Sequence, residues 1–371
     1  MSALPDLPFP MARALDLARE SLFLSSPNPH VGCVITAPDG RILGEGFTQA
    51  AGQAHAEVMA LRDAASKGSD MRGATAWVTL EPCAHTGRTG PCCDTLAAAG
   101  IGQVVASLVD PNPKVAGQGL ARLQAAGIEV TTGPGAQASR ELNIGFFSRM
   151  VRKTPWVRLK IAASLDGTTA LDNGQSQWIT SELARTDGHA WRARACAILT
   201  GIGTVLEDDP RLDVRLVDTP RQPVVVVVDS RLELPPQARL LQAGRPVWVY
   251  TAVHDALKRS ALEAHGATVI PLPGAGGKVD LAAMLRDLGQ REINELHVEA
   301  GHKLNGSLVR EGLVDEFLVY LAPLLLGPGR GLAALGPLQA LADGIALSFA
   351  SVEAFGPDLR IVARIPGRDR F

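Results

Sequence analysis

The stretch from His55 to Cys92 restricts the fold more than any other part of the chain. It holds His55-Ala56-Glu57, then V-T-L-E-P-C ending at Cys83, then eight residues (84–91) before Cys92. One imidazole and two thiolates suit Zn²⁺, and an ion held by three protein groups keeps a fourth tetrahedral position for water. To use them, the fold must bring three separate segments to one point. Residues 55–66 have a helical pattern, and because side chains at i and i+2 do not share a helix face, His55 and Glu57 can converge only around the helix start. Residues 75–80 read as a strand delivering Cys83. Cys92 opens a helix over 92–99, where the positive end of the dipole favours a thiolate. Glu57, not itself a ligand, is placed to move a proton between an activated water and a leaving group. A lone H-x-E or a lone P-C is commonly accidental, but the second cysteine makes the combination a metal signal.

The surrounding pattern alternates strand and helix. Leu15, Ala18 and Leu22 recur at helical spacing, 31–36 and 41–47 form a hairpin around Pro38-Asp39-Gly40, and Asn28 sits just before the first strand. Strand 104–107, helix 120–126 and strand 128–130 continue the alternation, with Asp110-Pro111-Asn112-Pro113 as a loop inside it. A helix over 140–150 precedes Arg152-Lys153-Thr154-Pro155, where a new β-rich pattern begins. The expected organisation is two α/β domains, 1–150 and 155–371, the first of three layers.

Composition narrows the function classes. With 46% hydrophobic and 20% charged residues, the 371-residue chain reads as globular, without a membrane span. Residues 1–8 carry no basic cluster ahead of an apolar run, so cytoplasm is expected. Five cysteines suggest metal use in a reducing compartment rather than a disulfide framework. A net charge of −2 and 4% aromatics argue against a nucleic-acid substrate. A small molecule is the expected partner.

In the second half, strands at 156–162, 197–200, 224–229, 246–251, 268–270, 296–299 and 317–321 alternate with helices to about 288, and two strands near 348–355 and 359–365 end the chain. This predicts a mostly parallel sheet with an antiparallel edge. Gly201-Ile202-Gly203-Thr204 lacks the third glycine of a dinucleotide fingerprint. Gly301, His302, Lys303, Leu304, Asn305, Gly306 and Ser307 cross from a strand into a helix, and free backbone N–H groups there suit a pyrophosphate; a tight crossover alone also accounts for the glycines. Ser230 and Arg231 follow a strand, where a hydroxyl and a guanidinium suit a ribose 2′-phosphate and hence NADPH.

The H-x-E and P-C pieces resemble the zinc nucleobase and nucleotide deaminases, whose usual second half is P-C-x-x-C. The longer run P-C-A-H-T-G-R-T-G-P-C, from Pro82 to Cys92, is similar to one branch, the bifunctional deaminase/reductases of riboflavin biosynthesis. Ser-Leu-Asp-Gly-x-Thr-Ala, Ser-Gln-Trp-Ile-Thr-Ser, Thr-Val-Leu-x-Asp-Asp-Pro and Val-Glu-Ala-Gly carry the resemblance through the second half. It implies a cytidine-deaminase-like domain followed by a dihydrofolate-reductase-like domain, one zinc per chain, NADPH, and pyrimidine nucleotide substrates. It implies zinc ligation by His55, Cys83 and Cys92, proton transfer by Glu57, and pyrimidine contacts from Asn28, His85 and Arg88. Ala162, Trp178, Thr204, Asp208 and Ser230 would hold the nicotinamide cofactor; Ser176, Arg192, Leu212, Arg215 and Glu299 would hold the sugar-phosphate substrate. Arg192 and Arg215 suit a phosphate clamp, whereas Asp208 could equally cap a turn. The proton donor of the reduction stays open between Asp208, Glu299 and a water. Arg88 stands where lysine is common and Gly90 where proline is frequent; neither is a ligand. A homo-oligomer, dimer or tetramer, is expected. The rivals are an RNA-editing deaminase and a non-catalytic nucleotide sensor with structural zinc, and Glu57 argues against the second.

Overall fold

The computed structural model describes residues 7–84, 90–113, 115–242 and 244–371. Two compact units divide between Arg152 and Lys153, and Phe371 belongs with the first, its ring edge-on to Phe147. The sequence-derived boundary lay at 150–155 and left Phe371 in the second unit, because a single terminal aromatic carries no periodicity.

In the first unit, Met11, Ala14, Leu15 and Ala18 form the buried stripe of α1 (Phe9–Glu20), which starts at prolines tolerated in a first turn. There follow β1 (Gly32–Thr36), β2 (Ile42–Phe47), α2 (Ala56–Ser66), β3 (Thr75–Val78), α3 (Cys92–Ala98), β4 (Gln103–Ala106), α4 (Gln118–Ala125), β5 (Glu129–Thr132), α5 (Ala136–Leu142) and α6 (Ile144–Arg152). The sheet order is β2-β1-β3-β4-β5, antiparallel through β3 and parallel beyond it. Val34 and Val105 face α1, while Cys33, Ile35 and Val78 face α2 and α3, which makes three layers. The single helix expected over 140–150 is two: Asn143 leaves helical geometry (φ −110°, ψ 14°) between α5 and α6. Its buried amide accepts from the His30 N–H and donates to the His30 carbonyl, at 2.7 and 3.0 Å.

The second unit comprises β6 (Trp156–Ser164), β7 (Ala170–Leu171), α7 (Glu182–Arg194), β8 (Ala197–Gly201), α8 (Ile202–Asp208), β9 (Val224–Val228), β10 (Val247–Thr251), α9 (Ala256–Glu263), β11 (Ala267–Pro271), α10 (Leu281–Gln290), β12 (Glu295–Val298), α11 (His302–Arg310), β13 (Glu316–Ala322), β14 (Gly329–Arg330), β15 (Ser348–Phe355) and β16 (Asp358–Arg364). Its main sheet runs β11-β10-β9-β8-β12-β6-β13-β16-β15, parallel as far as β13 and antiparallel at the C-terminal edge. The five valines of β9 suit an interior strand covered on both faces. Leu281, Met284, Leu285 and Leu288 of α10 and Leu308 of α11 pack on one face, and α7 and α9 pack on the other. Ser181 caps α7, its side chain accepting from the Ala184 N–H. Among the described residues no helix is long and apolar enough to cross a membrane.

Candidate active sites

The register of the first sheet places the end of β2, the start of β1 and the ends of β3 and β4 along one edge: Gly32 pairs with Phe47, Cys33 with Val78, and Val78 with Ala106. From that edge the chain leads to His55, Cys83 and Cys92. His55 is the N-cap of α2, with extended backbone (φ −77°, ψ 168°), so its side chain turns back across the helix start. Cys92 begins α3, and its backbone N–H donates to Cys83 Sγ at 3.4 Å. His55 Nδ1 lies 3.7 Å from Cys83 Sγ and 3.3 Å from Cys92 Sγ, and the three atoms lie within 4.8 Å of one another. Ligands on a tetrahedral Zn²⁺ are separated by roughly 3.5–3.8 Å when Zn–S and Zn–N take their usual lengths. The donor set and its spacing therefore fit that ion.

Electrostatics follow from the same packing. The Cys83 thiol is held well below its ordinary range by its hydrogen bond with Cys92, against the opposing effect of burial; that hydrogen bond, with burial, pushes Cys92 up. Burial, reinforced by the Cys83 charge, pushes Glu57 up to about 7, where a carboxyl can both hold and release a proton near neutrality. Glu57 is the second residue of α2, within electrostatic reach of His55, Cys83 and Cys92. Asn28 lies at the same sheet edge, in a segment pinned by Asn143 on His30 and by Ser25 Oγ on the His30 ring at 2.8 Å. His85 and Arg88 fall outside the described residues.

In the second unit, β9, β8, β12 and β6 are neighbours and parallel, so Ser230, Gly201, Glu299 and Ala162 sit along or beyond one C-terminal edge, the usual ligand edge of an open parallel sheet. The helix starts after β8 and β12 adjoin there: a Cβ on Gly301 would lie 3.7 Å from Thr204 Oγ1, and one on Gly201 3.1 Å from Leu304 Cδ2. Two sets of free helix N–H groups thus face one edge, a cradle suited to a pyrophosphate. Of the glycine-containing run, only Gly301, His302, Lys303 and Leu304 lie at the helix start. Asn305 donates to the Leu332 carbonyl, Gly306 lies where a Cβ would be 2.3 Å from the Ala334 carbonyl, and Ser307 Oγ bonds to the Lys303 carbonyl, so these three serve packing and the helix itself.

Thr204 and Asp208 lie on α8, a short helix that the sequence reading did not mark, and the neighbouring Asp209 accepts the Arg239 N–H from 30 residues away. Trp178 is exposed, with the Arg185 guanidinium 4.6 Å from its ring centre, and Ser176 lies two residues before it. Ser230 Oγ accepts the Val279 N–H at 3.1 Å. Arg192 and Glu299 meet in a two-point ion pair, 2.5 and 2.8 Å, and Arg192 Nη1 donates to the Asp213 carbonyl. Arg192 thus neutralises Glu299, and Arg215, half-exposed, pairs through Nη1 with Asp213 Oδ1 at 2.7 Å. Leu212 takes a left-handed backbone (φ 53°), and its carbonyl accepts from the buried Arg245. Sequence reasoning missed Lys160 on β6, whose ammonium stands 6.0 Å from the Tyr320 ring centre; burial lowers its pKa, Glu299 opposes, and Arg192 adds to the lowering. A lysine inside a strand gives no motif, and only sheet register brings it beside Glu299.

Residues 8–108 match the family described as the cytidine and deoxycytidylate deaminase zinc-binding region, and residues 155–361 match the RibD C-terminal domain. The riboflavin biosynthesis protein RibD of Escherichia coli K12 is 47% identical over 362 residues, covering 94% of this chain and 96% of that one. The chain belongs to the RibD family. The RibD of Aquifex aeolicus is 39% identical, covering 95% and 96% of the two chains. The solved Acinetobacter baumannii RibD superposes with a TM-score of 0.86 at 39% identity, over 96% of this chain and 98% of that one. A Thermotoga maritima structure, described as a diaminohydroxyphosphoribosylaminopyrimidine deaminase/5-amino-6-(5-phosphoribosylamino)uracil reductase, gives 0.86 at 34% identity, over 96% and 97%. As a RibD protein, the chain is a bifunctional deaminase and reductase of riboflavin biosynthesis, with a cytidine-deaminase-like domain ahead of the reductase domain.

Proposed function

We propose that the chain hydrolytically deaminates 2,5-diamino-6-(5-phosphoribosylamino)pyrimidin-4(3H)-one and then reduces 5-amino-6-(5-phosphoribosylamino)uracil with NADPH to the ribitylamino product. The observation that carries this reading is the convergence of His55, Cys83 and Cys92 beside the buried carboxyl of Glu57. Zinc held by those three residues supplies an activated water. Glu57 takes the first proton of that water and passes it to the ring nitrogen, then carries the second from the new hydroxyl to the departing amine, so that the water oxygen replaces the amino group and nitrogen leaves as ammonia. Asn28, His85 and Arg88 hold the pyrimidine.

In the reductase, NADPH supplies the hydride. The helix starts at Thr204 and Gly301 to Leu304 receive its pyrophosphate, and Ala162, Trp178, Asp208 and Ser230 border its remaining length. Arg215 and Ser176 meet the phosphoribosyl group, while Arg192 holds Glu299 as an anion at the edge where the ribose must lie. Burial alone would raise Glu299, but Arg192 holds it well below the usual carboxylate range. The five free cysteines suit a cytoplasmic enzyme. The exposed edge strand β15, with Phe349 and Val352 uncovered, supports a homo-oligomer closed through this unit.

The test is Glu57→Gln. Deamination of the diaminopyrimidine nucleotide should fall by about 10²–10⁴-fold, with zinc content unchanged and NADPH oxidation on the deaminated substrate at the normal rate. Retained deamination removes Glu57 from the mechanism.

A further inference from the structure

Glu81 lies two residues before Cys83, is 4% exposed, and has no place in the chemistry described above. Its carboxylate accepts four backbone N–H groups from a single loop. Oε2 takes those of Asp110 (3.0 Å) and Gly117 (2.9 Å), and Oε1 takes those of Gly119 (2.8 Å) and Leu120 (3.3 Å). Gly119 and Leu120 are in the first turn of α4, whose N-cap Gly117 has no side chain to cap it; Glu81 does so from across the fold. The fit leaves no slack, since a Cβ on Gly119 would lie 1.9 Å from the Pro82 carbonyl oxygen.

Glu81, Pro82 and Cys83 are consecutive, and proline fixes its own φ, so immobilising Glu81 sets the direction from which Cys83 enters the metal site. On its other side Cys83 is tied to α3, its carbonyl accepting the Cys93 N–H at 3.3 Å and its sulfur the Cys92 N–H. A buried carboxylate with four donors is an anchor, and here the anchored residue adjoins a ligand. We propose that Glu81 is a positioning residue for the metal site, clamping the Cys83 segment to the 110–120 loop so that the Cys83 thiolate points at the ion.

The proposal rests on the zinc reading, and the two are separated by titrating metal-free protein with Co²⁺ alone. The unaltered protein should develop a thiolate-to-cobalt charge-transfer band at one equivalent; its absence would overturn the zinc reading beneath the proposal. Glu81→Gln keeps the size but turns an NH₂ towards backbone donors, and Gly119→Ala displaces the same contact without changing charge. Both should bind Co²⁺ about 10–100-fold more weakly, the usual effect of losing a group that orients a ligand, with shifted d–d bands and an unchanged rate of NADPH oxidation on the deaminated substrate. Unaltered affinity and spectrum in both variants overturn the proposal. Weakening in Glu81→Gln alone overturns it too, since that would make the effect one of charge rather than position.

Discussion

The guanidinium of Arg192 is committed to Glu299 and to the Asp213 carbonyl, and the neighbouring His189 completes the arrangement by accepting the Arg215 N–H on Nδ1 at 3.1 Å. That contact needs a neutral imidazole. Burial, helped by the charges of Arg192 and Arg215, pushes His189 down to about 4. Because the folded value lies below the unfolded one, the contribution is complete above about pH 6.5 and is lost as pH falls through about 4. In urea unfolding, the second unit should lose on the order of 2 kcal/mol across that window from this group. His189→Phe should be less stable at pH 7, with the Arg215 N–H unpartnered, yet show a flatter pH dependence; an equally steep curve would exclude His189 as the titrating group. At the metal site the adjacent thiols differ. Cys92 Sγ lies against His55, whereas the Cys93 side chain packs with Leu96 and Ile101, and burial pushes it up to about 11. Zinc measured per chain should fall nearly to zero in Cys83→Ser and Cys92→Ser and stay near one in Cys93→Ser.

At the scale of elements, the depth at which α2 lies on the sheet decides where His55 and Glu57 stand. Gly44 and Gly46 of β2 make that depth attainable: a Cβ at Gly44 would lie 2.2 Å from the Ala60 carbonyl oxygen, and one at Gly46 2.5 Å from the Ala60 nitrogen. Gly46→Ala should therefore cost about 1–3 kcal/mol or more in urea unfolding of the first unit and weaken zinc binding as α2 is pushed outward. Wild-type values for both would show that the helix has room to shift. One element departed from expectation for a local reason, and one went unread. Asn143 interrupts a helical pattern because its amide is worth more on the His30 backbone, a contact 113 residues distant. The short α8 buries only Val205, too little apolar periodicity for sequence to reveal.

At the scale of the whole molecule, two units have separate apolar cores, with His55, Cys83 and Cys92 in the first and the C-terminal sheet edge flanked by α8 and α11 in the second. Calorimetry should resolve ligand effects accordingly. Chelation of zinc should lower the transition of the first unit and spare the second, while NADPH at 100 times its Kd should add about 2.7 kcal/mol to the second alone. Equal movement of both transitions would show thermodynamic coupling between them. That His55, Cys83 and Cys92 would meet at one point was legible in the sequence because zinc chemistry demands particular residue types at a helix start and a strand end, and those residues lie within one short stretch. The strand–helix alternation was legible because burial imposes a period. Which carboxylate each arginine meets, where Lys160 stands, how Glu81 grips the 110–120 loop and which glycines meet backbone were decided only by tertiary structure. Each depends on hydrogen-bond partners or close contacts distant in sequence, and local pattern holds no record of which distant donor reaches a charge first.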